Sequence, residues 1–79
     1  MTEIITAREE DMPVILQIEH ESFSAPWTHG ALLGEIYRDD SQFTLATENG
    51  TALGFCILRL VGDEAELFKI AVTDRKSVV

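Results

Sequence analysis

Apolar positions along the chain change their spacing twice. Residues 2–7 are rich in β-branched side chains and alternate weakly, which predicts a first strand. From Val14 the spacing lengthens. Val14, Ile15, Ile18 and Phe23 form a helical stripe, with Gln17, Glu19, His20 and Glu21 between them. Glu9-Glu10-Asp11 and Pro13 supply helix-start chemistry, with Asp11 the expected cap. Ser24-Ala25-Pro26-Trp27 interrupts the stripe. Thr28 then caps a second helix expected to reach Asp39, with Leu32, Leu33 and Ile36 on one side. Gly30 and Gly34 each weaken that helix by about 1 kcal/mol relative to alanine.

Beyond Asp39-Asp40-Ser41 the period becomes two. Phe43, Leu45 and Ala46-Thr47 read as a strand. Asn49-Gly50 is a strong hairpin signal, because a type I′ turn needs positive φ at both central residues. Residues 53–61 form the returning strand, Gly62-Asp63 a second turn, and residues 64–72 a third strand. The order is β-α-α-β-β-β. Helices followed by an antiparallel meander predict an α+β domain. No repeat, linker or low-complexity segment divides it.

Composition narrows the setting. Seventy-nine residues make at most one small domain, marginal without staples. The formal net charge of −8 argues against nucleic acid or an acidic membrane as partner. The N-terminal residues have no basic region followed by an apolar stretch, so neither a signal peptide nor a membrane span is expected. One cysteine and two distant histidines lack zinc spacing, so no metal is expected. Cys56, within the apolar run Gly54-Phe55-Cys56-Ile57-Leu58, is expected to be a small buried hydrophobe. The expected compartment is the cytoplasm.

Few side chains suggest chemistry by themselves. Glu64 and Glu66 are two apart on a strand and share a face. A carboxylate there could serve as a general base. Trp27 after Pro26 reads either as a core plug or as the wall of a groove. Glu19 reads as part of a solvated helix face. His20 and His29 show no partner and are expected at the surface.

The pattern can now be compared with a family. Asp11-Met12-Pro13-Val14 with Ile18-Glu19, then Pro26-Trp27-Thr28, then residues 63–72 (DEAELFKIAV) resemble, in order and spacing, the RimI-type N-acetyltransferases. These belong to the GNAT superfamily of acetyl-CoA-dependent enzymes. The resemblance covers residues 2–72 and implies the N-terminal half of the GNAT fold. It further implies acetyl transfer from acetyl-CoA to the α-amine of a protein N-terminus, with a ribosomal protein as partner. Backbone groups of Ile70, Ala71 and Val72 would hold the pantetheine arm. Phe23, Pro26 and Trp27 would border the substrate groove, and the alternative to a solvated Glu19 is that it faces the incoming amine. In the family the general base resembles a Glu on the next strand and the acid a Tyr in a later helix. No catalytic pair is therefore assigned, and Glu66 is the lesser candidate. Two departures stand out: Arg8 where a Ser or Thr cap is usual, and Lys69 where Asn is usual. Lys69 is expected to change the groove's charge. The alternatives are an acetyltransferase for a small-molecule amine, or a non-catalytic, truncated α+β module that offers a strand edge to a partner.

The last residues do not continue the family pattern. After I-A-V the family has a glycine-rich loop that cradles pyrophosphate at a helix N-terminus. Here Asp74-Arg75-Lys76-Ser77-Val78-Val79 reproduces the translation of a widely used sequencing adapter, GAT CGG AAG AGC GTC GTG, whose next codon is a stop. The expectation is a truncated domain over residues 1–73 and a non-native tail over 74–79.

Overall fold

The computed structural model describes residues 1–73, so the expected tail at 74–79 lies outside the described residues. The chain forms β1 (Thr2–Thr6), a single 3-10 turn (Glu9–Asp11), α1 (Met12–Ser22), α2 (His29–Tyr37), β2 (Ser41–Glu48), β3 (Thr51–Val61) and β4 (Glu64–Val72). Among the described residues the strands make one antiparallel sheet, ordered β1-β2-β3-β4. The expected α+β order is the observed one.

Several boundaries move for local reasons. α2 stops at Tyr37, before the expected Asp39, and Arg38 already has extended backbone. Asp11 does not cap α1 as expected. Its carboxylate instead accepts from the Arg8 N–H at 2.9 Å, closing the 3-10 turn that precedes the helix. Thr28 does cap α2, with its hydroxyl accepting from the Ala31 N–H at 3.1 Å. At the hairpin Asn49 and Gly50 have φ of 54° and 83°, the two positive values a type I′ turn demands. On the rim, two Arg38–Asp40 hydrogen bonds hold the Asp40 carboxyl below the usual carboxylate range.

The core lies between the helices and one face of the sheet. Ile15, Ile18 and Leu32 pack against Phe43, Leu45, Phe55 and Ile57, all buried. The rings of Phe43 and Phe55 lie 5.5 Å apart. On the opposite face Ile4, Thr44, Ala46, Cys56, Ile70 and Val72 line a shallow apolar cavity of about 250 Å³. No helix of the described residues covers it. Cys56, expected to be a small buried hydrophobe, is therefore half-buried on this bare face.

Two features of the β3–β4 pair shape the site. At Gly54 the backbones come so close that a Cβ would sit 2.5 Å from the Ala71 carbonyl oxygen. Farther along, Ile57 pairs with Lys69 but Leu58 pairs with Leu67, so Phe68 is an extra residue in β4. Such a bulge breaks strict alternation and re-aims side chains.

Candidate functional site

The bulge brings both Phe68 and Lys69 to Trp27. The Phe68 ring meets the Trp27 ring edge-on, with centroids 5.7 Å apart at 71°. Lys69 Nζ lies 4.4 Å from the Trp27 ring centre and 3.8 Å from that of Phe23. It also reaches Glu19 Oε2 at 3.0 Å. The loop after α1 makes this convergence possible. α1 ends with the Phe23 N–H donating to the Glu19 carbonyl, and Phe23 turns extended. Pro26 directs the chain back, and the Trp27 N–H donates to Glu19 Oε2 at 2.8 Å.

The electrostatics here are those of an interior. The Glu19 side chain is 0% exposed and that of Lys69 9%. Desolvated cation–π contacts contribute about 2 kcal/mol or more. Removing one partner of a buried ion pair costs about 3–5 kcal/mol, because the other charge is stranded. Glu19 Oε1 is buried and has no hydrogen-bond partner among the described residues.

Trp27 is also a wall of a second concavity of about 490 Å³, lined with Pro26, Thr28, Ala31, Glu35, Arg59 and Phe68. Arg59 Nη2 meets Glu35 Oε2 at 2.6 Å, and its guanidinium lies 4.1 Å from the Phe68 ring centre. Glu35 Oε1 and Arg59 Nε are buried without hydrogen-bond partners among the described residues. The groove thus combines apolar walls with a charged floor that has unused hydrogen-bonding capacity.

The expected site residues are distributed as follows. Phe23 and Trp27 converge on one ammonium, while Pro26 and Trp27 border the groove. Ile70, Ala71 and Val72 lie on β4, the terminal strand, whose outer edge has no partner strand among the described residues. Ala71 is buried toward the helices, and Ile70 and Val72 are exposed on the other face. Glu66 pairs across the strands with Arg59, is exposed, and is not among the groove's lining residues. Glu19 corrects the reading of a solvated helix face, since its carboxylate is fully buried. The charge of Lys69 does not face open solvent but is matched by Glu19. Glu35 and Arg59 were missed as site residues. Their spacing carries no signal, because α2 and β3 meet only in the folded chain. His20 and His29 are exposed. Among the described residues no group of three or more His, Cys, Asp or Glu could hold a metal ion, and no helix is long and apolar enough to cross a membrane.

Comparison with known proteins places this geometry. No family model matches the chain. The [ribosomal protein bS18]-alanine N-acetyltransferase of Escherichia coli strain K12 is 37% identical over 75 residues, covering 91% of this chain and 48% of that one. The crystal structure of the ribosomal-protein-S18-alanine N-acetyltransferase from Escherichia coli superimposes with a TM-score of 0.83 at 30% identity, covering 94% of this chain and 47% of that one. The PaiA N-acetyltransferase from Thermoplasma acidophilum, in complex with coenzyme A, superimposes with a TM-score of 0.80 over 94% of this chain and 60% of that one. Its 22% identity speaks to the fold alone. The fold matches the N-terminal half of GNAT acetyltransferases. More narrowly, the chain is homologous to the RimI-type ribosomal protein bS18 alanine N-acetyltransferases, and it spans about half the length of the curated relatives it matches.

Proposed function

We propose that this chain is the N-terminal half of an N-acetyltransferase that moves acetyl from acetyl-CoA to the α-amine of a protein N-terminus. A ribosomal protein is the proposed substrate, in the cytoplasm. The carrying observation is that β4 combines an outer edge with no partner strand among the described residues and, directly before it, two residues that touch Trp27. The outer edge of β4 offers backbone N–H and C=O groups of Ile70 and Val72 to an extended ligand, with Ala71 between them turning its carbonyl toward β3. Lys69 and Phe68, directly before them, touch the aromatic wall of the groove.

The chemistry asked of these residues is positioning and polarisation. A backbone N–H of β4 donates to the thioester oxygen and stabilises the charge that develops there. The neutral amine attacks the carbonyl carbon and gives up one proton to a general base, and the C–S bond breaks as a general acid protonates the departing thiolate of coenzyme A. The Phe23-Pro26-Trp27 corner borders the groove by which the amine approaches, with Pro26 and Trp27 as its walls. Glu66 is exposed and outside the groove, so the base and acid are assigned to the part of the relatives this chain does not match. On this reading residues 1–73 are native and 74–79 are adapter-derived.

The test starts by resequencing the locus from the codon of Ile70 onward, then expressing the protein it encodes. That protein is expected to add acetyl to an alanine-initiated peptide, read by mass spectrometry. Acetylation of small amines alone would transfer the assignment to a small-molecule enzyme. A genuine stop after Val79 would favour the binding module. The chain of residues 1–79 alone is expected to show no micromolar acetyl-CoA binding by calorimetry.

A further inference from the structure

We propose that Glu19, Phe23 and Trp27 form a cage for a primary ammonium group, and that Lys69 is its tethered occupant, closing it to other amines. This goes beyond acetyl transfer and can be tested without acetyl-CoA, so either reading can fail alone.

The cage walls come from one short stretch of chain. Phe23 follows α1 directly, and the Trp27 N–H holds Glu19 Oε2 from within the same loop. Two ring faces and one carboxylate are the elements that recognise an alkylammonium, since rings attract the cation and the carboxylate takes its N–H. Lys69 supplies that cation at 3.8 Å and 4.4 Å from the ring centres and 3.0 Å from the carboxylate.

A purely structural ion pair would be expected to satisfy both carboxylate oxygens. Here Glu19 Oε1 is buried and has no hydrogen-bond partner among the described residues. The cage therefore has acceptor capacity that the tethered lysine does not use. An ammonium has three N–H donors, and a freely diffusing one can orient them toward both oxygens. Lys69 Nζ sits on Oε2 and leaves Oε1 without a hydrogen-bond partner among the described residues.

The experiment is chemical rescue of Lys69→Ala in the 79-residue chain, read by the emission of Trp27, its single tryptophan. Thermal unfolding is followed while n-butylammonium chloride is added, with tetramethylammonium chloride as the control of equal ionic strength. Tetramethylammonium has no N–H to give Glu19. The expected result is a saturable rise in the K69A midpoint with n-butylammonium only, no rise in the unaltered chain, and at least tenfold weaker rescue when Glu19→Gln is added. If K69A is unfolded without amine, n-butylammonium is expected to restore the folded Trp27 emission. Absence of rescue, equal rescue by tetramethylammonium, or equal rise in the unaltered chain would overturn the cage. A second measurement needs no variant: ring currents should move the Lys69 Hε resonances upfield, and unshifted resonances would also overturn it. Replacing n-butylammonium with alanyl-alanine amide separates the sources. Rescue by the peptide as well points to an N-terminal α-ammonium, and rescue by n-butylammonium alone to a lysine-like side chain or polyamine.

Discussion

At Gly54 a hydrogen atom is all that the β3–β4 contact admits on that side of the backbone. A methyl group would lie 2.5 Å from the Ala71 carbonyl oxygen, and that oxygen is backbone. Gly54→Ala is therefore expected to destabilise the fold by about 1–3 kcal/mol, the usual cost of overpacking. An unchanged urea midpoint would refute the close approach. The glycine has a functional side as well, because Ala71 is the central residue of the proposed cofactor edge. At the same scale, sequence and structure agree where a residue's role is local. Asn49 and Gly50 announce their positive φ, and Thr28 its cap. They part at Glu19, whose partners are Trp27 and Lys69. A charged residue on a helix reads as solvated until a distant strand brings it a cation.

Elements were more legible than the site. The change of period from helix to strand placed α1, α2 and the meander within a few residues of their observed bounds. What periodicity cannot show is the insertion of one residue. The bulge at Phe68 breaks the alternation of β4, and so decides that Phe68 and Lys69 both reach Trp27. The 3-10 turn before α1 was hidden for a related reason, since Asp11 serves either the turn or the helix and only geometry decides. α2 carries its own testable weakness. Gly34 lies within it, and nothing is found within 4 Å of where its Cβ would sit. Gly34→Ala is expected to stabilise the chain by about 1 kcal/mol, through helix propensity alone. A fall in the denaturation midpoint would show that α2 needs flexibility there.

Among the described residues the sheet has one covered face and one bare one. The bare face presents Ile4, Ile70 and Val72, each more than half exposed, beside a strand edge with no partner strand among the described residues. Unpaired apolar edges template association. The charge of −8 opposes it, but over a Debye length of only about 8 Å at physiological ionic strength. Self-association is therefore expected to strengthen with added salt in sedimentation velocity, and Ile70→Lys is expected to weaken it. A monomer at every salt concentration would contradict this.

The Glu19–Lys69 pair also has a history within each molecule's synthesis. A chain is made from its N-terminus, and Glu19 leaves the ribosome well before Lys69. Until β4 follows, the carboxylate lacks its Lys69 partner, and water must keep it. α1 therefore cannot settle into its final environment while the chain is still growing through the hairpin. Contacts this distant in sequence are also slow to form, because the intervening loop must first close. Burial of Glu19 is therefore expected among the late events of folding, after Lys69 has arrived.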